Sequence, residues 1–80
     1  MNKPSYRHRT QMLLDSGNRE DLIYLMDLFI KDEVKREILK YRHFEGLTNQ
    51  QTSLRVKESK ASCRILYWKA IDELGEIYRR

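Results

Sequence analysis

The side chains of this 80-residue chain best placed to do chemistry are cations: Arg55, Lys57, Lys60, Arg64 and Lys69 fall within one short stretch of the C-terminal half. Ammonium and guanidinium groups at such spacing attract phosphate, and Lys60 and Arg64 can donate to the acceptor edge of guanine. The rest of the reactive inventory is sparse. Cys63 is the only cysteine, so no internal disulfide can form, and a lone thiol inside a helical pattern reads as a small core residue. His8 and His43 have no cysteine cluster beside them, and no spacing builds a zinc site. His43 reads as a surface residue without the carboxylate and nucleophile that would make it catalytic. With no paired carboxylates, Gly-rich phosphate loop or triad, neither enzymatic activity nor a metal or cofactor is expected.

Charge is divided unevenly along the chain. Residues 1–33 carry five Lys/Arg against six Asp/Glu, whereas residues 34–80 carry eleven against six, so a surplus of five positive charges sits in the second part. Such a surplus steers polyanions toward that part of a fold. Apolar residues make up 40% and charged residues 35%, with Pro4 the only proline, which suits one packed helical domain. No apolar run approaches the ~20 residues that span a bilayer, and the N-terminus lacks a signal peptide's apolar stretch, so a cytoplasmic protein is expected.

Elements that would position the cations follow from apolar spacing and caps. Tyr6, Leu13 and Leu14 predict a short helix from Ser5 to Asp15, stopped at Ser16-Gly17-Asn18 with Gly17 as a left-handed C-cap. Asn18 then caps a helix over Arg19–Phe29, with Glu20 and Asp21 in the turn where the dipole favours carboxylates and Leu22, Ile23, Leu25, Met26 and Phe29 on its apolar face. Asp32 opens a third helix, in which Val34, Ile38, Tyr41 and Phe44 keep one buried face until Gly46 ends it. Thr48 and Gln51 have capping-box spacing and start a short, mostly polar fourth helix that runs to about Val56. Lys57 and Glu58 make a turn, and Ser59 caps a long last helix. Its Cys63, Leu66, Tyr67, Ala70, Ile71, Leu74, Ile77 and Tyr78 fall in an arc of about 140° centred near Leu74. Trp68 lies off that arc and reads either as a partner interface or as packing against the first helix.

These elements predict an all-α fold, a small bundle of four to five helices in a single domain over 1–80. The N-terminal arm or short helix occupies 1–17 and a helix-turn-helix core 34–78. A short helix, a tight turn and a Ser-capped longer helix form the outline in which the second helix offers its leading end to the major groove. The stretch from Ile38 to Gln51, Ile-Leu-Lys-Tyr-Arg-His-Phe-Glu-Gly-Leu-Thr-Asn-Gln-Gln, followed by Ser59 to Cys63 and Lys69-Ala70-Ile71-Asp72-Glu73-Leu74, resembles region 4 of the sigma-70 family and related small phage regulators of late transcription. The resemblance covers about half the chain. It implies that Lys60, Ala61, Arg64 and Ile65, just after the capping Ser59, read the groove, with Ala61 and Ile65 offering apolar contact to thymine methyls. Thr48 and the amides of the fourth helix would hold a phosphate, and Arg55, Lys57 and Lys69 would add backbone contacts. Family members carry apolar residues where Thr52 and Glu58 stand and usually Gly where Lys57 stands, so a turn that is distorted or packed differently is expected.

The function expected on this basis is a DNA-binding transcription regulator, phage-encoded, with double-stranded DNA as its partner. The alternative is a protein-interaction module on the same scaffold, gripping RNA polymerase, a sigma factor or another host protein through Trp68, Ile65 and the basic face. A homodimer is a further candidate assembly, because helix-turn-helix proteins commonly pair to match half-sites.

Overall fold

The computed structural model describes residues 3–78, with side chains from Tyr6 to Ile77. Five α-helices follow in order: α1 (Lys3–Ser16), α2 (Arg19–Phe29), α3 (Glu33–Leu39), α4 (Asn49–Val56) and α5 (Lys60–Tyr78), with a π-helical turn, Lys40–Phe44, continuing α3. No strand occurs among the described residues. The fold is all-α, as the spacing of apolar residues predicts.

Polar side chains set the helix starts. Asn18 accepts from the Asp21 amide at 3.1 Å and Asp32 from the Val34 amide at 2.9 Å. Thr48 and Gln51 form the full reciprocal box, and Ser59 Oγ accepts from the Ser62 amide at 3.0 Å. Each cap satisfies an amide that the helix itself leaves unpaired.

Two details depart from expectation. The third helix is not a continuous α-helix to Phe44; after Leu39 it widens, and the Glu45 amide bonds to the Lys40 carbonyl five residues back, at 3.1 Å. Ile38 and Leu39 are both fully buried, and the wider turn sets Arg42, His43 and Phe44 each against an aromatic or cationic neighbour. Gly46 closes it at φ 69°, a conformation that costs a residue with a Cβ about 1–2 kcal/mol. Gly17, by contrast, is not left-handed. Its amide bonds the Leu13 carbonyl, and Asn18 turns straight into α2 in an extended conformation.

α5 is the axis of the bundle, packed by α1, α2, α3 and α4. Its Cys63, Tyr67, Ala70, Ile71 and Leu74 are buried against Leu14, Leu22, Met26, Ile30, Ile38 and Leu39, so the expected arc does face the core. Tyr78 belongs to the same expected arc, but its side chain lies outside the described ones. Gly75 lets α1 approach closely, because a Cβ there would stand 2.9 Å from the Thr10 hydroxyl. No helix among the described residues is long and apolar enough to cross a membrane.

Candidate nucleic-acid interface

α4 and α5 are joined by three residues, Lys57 to Ser59. The turn is not distorted by the missing glycine. Lys57 itself takes the left-handed conformation (φ 61°, ψ 40°), and the amides of Lys57 and Glu58 both return to the Ser53 carbonyl. Asn49 Nδ2 donates to the Lys60 carbonyl at 3.2 Å and ties the start of α4 to the start of α5. At the other two positions where the family is apolar, Thr52 is fully buried with no partner for its Oγ1, and Glu58 accepts from the Ser62 hydroxyl at 2.9 Å.

With Cys63, Tyr67, Ala70 and Ile71 turned inward, helical geometry puts Ala61, Ile65 and Lys69 on the outer side of α5, while Lys60 and Arg64 continue the Tyr67–Ile71 stripe into the first turns, where it is uncovered. All five are exposed, Ile65 by 57%. Arg55 and Lys57 are exposed on α4 and the turn, Arg55 with its guanidinium 5.6 Å from the Tyr41 ring. Thr48 is exposed, although its hydroxyl already accepts from the Gln51 amide. Trp68 is half-buried, edge-on to Tyr67, with the Arg7 guanidinium of α1 5.0 Å from its ring; it packs against the first helix.

Ion pairs decide which cations remain free. Arg7 pairs with Asp72, Lys35 with Glu73, and Arg36 and Lys40 with Asp27. Their cations come from α1, α3 and the π turn, and their carboxylates from α2 and the second half of α5. Among the described residues, none of Arg42, Arg55, Lys57, Lys60, Arg64 and Lys69 forms an ion pair.

His43 is not a surface residue. Its side chain is 8% exposed, Nδ1 lies 2.8 Å from Asp15 Oδ1 and Nε2 lies 2.8 Å from the Tyr67 hydroxyl, which also accepts from Gln11 Nε2 at 2.9 Å. The π turn swings the imidazole inward onto the Tyr67 ring, 5.8 Å between centroids. With the hydrogen on Nδ1, every group is satisfied: His43 donates to Asp15, Tyr67 donates to Nε2, and Gln11 donates to Tyr67. Burial pushes the Tyr67 hydroxyl above its ordinary pKa, opposed in part by the Gln11 hydrogen bond and the Arg42 charge. Burial likewise pushes up the Cys63 thiol, which makes it a poor nucleophile.

Arg42, which the sequence alone did not single out, lies on the opposite end of this network, its guanidinium 4.6 Å from the Tyr67 ring. It opens onto a cleft of about 200 Å³ lined by Gln11, Arg42, Asn49, Arg64, Tyr67 and Trp68. No sequence signal marked this grouping, whose members come from three helices and a π turn. Among the described residues no cluster of His, Cys, Asp or Glu is arranged to hold a metal ion. No family model, curated protein or solved structure matches the chain.

Proposed function

We propose that the α4–turn–α5 unit is a DNA-binding helix-turn-helix that places the leading turns of α5 in the major groove, and that the protein regulates transcription, as its resemblance to small phage regulators suggests. One observation carries the reading. The first two turns of α5 expose Lys60, Ala61, Arg64 and Ile65 together, and the two cations among them have no carboxylate partner among the described residues. A free, exposed guanidinium such as that of Arg64 can donate two parallel hydrogen bonds to guanine, while Ala61 and Ile65 offer methyl contacts to thymine. Arg55, Lys57 and Lys69, all exposed, would add the phosphate contacts that fix the register. The basic turn at Lys57, which keeps the glycine-like backbone, adds a charge where the family has none.

Titration of duplex DNA at two salt concentrations tests this. Affinity must fall steeply as salt rises, because each neutralised phosphate releases counterions. Arg64→Ala should cost about 1–3 kcal/mol of discrimination at one base position if it reads guanine. Absence of submicromolar binding at low salt would refute the proposal.

A further inference from the structure

We infer that the cleft between the π turn and α5 is a preorganised seat for a phosphate group, with Arg42 and Arg64 as its two charged walls. This extends the reading above by a phosphate contact that brings in Arg42 and shares Arg64 with the groove-reading residues, and its free-phosphate arm does not depend on that reading. The cleft holds two guanidinium groups with no ion-pair partner among the described residues, and no carboxylate lines it. At about 200 Å³ it lies below the ~300–1,000 Å³ of clefts that enclose a whole drug-sized ligand, so it takes a group rather than a cofactor.

Side chains that carry donors line it from four elements. Gln11 comes from α1, Arg42 from the π turn, Asn49 from α4 and Arg64 from α5. Each amide nitrogen has one hydrogen committed, Gln11 to Tyr67 and Asn49 to the Lys60 carbonyl, which leaves a second hydrogen on each. Donors approaching from several directions suit a tetrahedral oxyanion, whereas a planar carboxylate is served by the edge of one guanidinium.

Arg42 is also held in place. Its guanidinium stacks on Tyr67, whose hydroxyl is fixed by Gln11 and His43, and His43 is fixed by Asp15. A cation ordered before the ligand arrives loses little freedom on binding. The π turn that brings it there is a geometry frequent at functional sites.

The test uses the full chain, labelled with ¹⁵N, titrated with inorganic phosphate and, separately, with a duplex. Phosphate should shift the side-chain amide signals of Gln11 and Asn49 and the Trp68 indole signal saturably. Arg42→Gln should abolish those shifts, Lys31→Gln should not, and Arg64→Gln, an exposed position that leaves the Tyr67 stack intact, should abolish them if Arg42→Gln fails to fold. With the duplex, Arg42→Gln should lower affinity by the same factor for every sequence and make the slope of log K against log salt shallower by about 0.9. A duplex that displaces phosphate assigns the seat to the DNA backbone; phosphate retained beside bound duplex assigns it to a small phosphate ligand. Phosphate shifts without any duplex binding uphold the seat and sink the DNA reading alone. Acetate giving the same shifts at equal concentration, or wild-type phosphate shifts and salt slope in a folded Arg42→Gln, overturns the inference.

Discussion

Thr52→Val should stabilise the protein, against the general tendency of core substitutions to destabilise. Thr52 sits in α4 with no exposed surface, and its Oγ1 is buried without a hydrogen-bond partner. An unsatisfied buried hydroxyl costs about 1–3 kcal/mol, and the substitution replaces it by a methyl of nearly the same shape. Valine and threonine are both β-branched and have similar helix propensities, so the backbone is not taxed. A net gain of about 1–2 kcal/mol follows, and in a domain of this size each kcal/mol raises the melting temperature by roughly 4–8 °C. Thermal and urea unfolding followed by circular dichroism would measure it. Thr52→Ser is the counterpart, since it keeps the hydroxyl and deletes the buried methyl, and it should lose about 1 kcal/mol. If Thr52→Val melts at or below the wild-type temperature with an unchanged urea slope, the hydroxyl has a partner and the reasoning fails.

Lys57→Gly should gain roughly 0.5–1 kcal/mol, because relief of a left-handed Cβ outweighs the extra freedom glycine has when unfolded, and it should make DNA binding less salt-dependent; paired melts and salt titrations read both effects. Leu74→Ala empties a fully buried position on α5 and should cost about 2–5 kcal/mol, visible as loss of a cooperative urea transition. Tyr67, an acid whose pKa burial raises in the fold, contributes stability below the ordinary tyrosine pKa of 10.0 that is lost as pH rises beyond it, so urea midpoints should fall on the alkaline side more steeply than in Tyr67→Phe.

Most of the fold was legible because its signals are local. Asn18, Asp32, Thr48 and Ser59 each act within three residues of themselves, and each caps the helix expected of it. The arc centred near Leu74 faces the core because α5 has one dominant apolar side and the shorter helices must cover it. What escaped depends on contacts distant in sequence. Whether residues 40–44 continue an α-helix or widen into a π turn is settled by Tyr67 and Asp15, 24 and 28 positions from His43, and helical spacing carries no trace of either. Gly17 misled for a different reason. A glycine after a helix suggests a left-handed cap, but here the N-cap of the next helix, Asn18, follows Gly17 directly. On the candidate interface, Ala61 and Ile65 could be placed opposite the apolar arc from spacing alone, whereas Arg42 and Gln11 join Arg64 only through the way α1 and the π turn lie on α5.

The ion pairs along the helix seams gain significance from where they leave charge rather than from what they add to stability. Arg7–Asp72 and Lys35–Glu73 are partly exposed, and pairs of that kind contribute on the order of 0–1 kcal/mol each. Their effect on the field is larger. The carboxylates of α5, Asp72, Glu73 and Glu76, lie in its second half, and the first two neutralise cations that α1 and α3 bring to them; Asp27 of α2 does the same for Arg36 and Lys40. The first half of α5 contains no acidic residue at all between Lys60 and Ile71. One helix therefore runs from a free cationic end to a compensated end, and within a Debye length of ~8–10 Å an approaching polyanion meets the cationic end as the stronger attraction. Reversing this polarity, rather than changing the net charge, is what would redirect the protein: Glu73→Gln would release Lys35 at the compensated end and add to the total charge, yet it should leave the salt dependence of duplex binding unchanged.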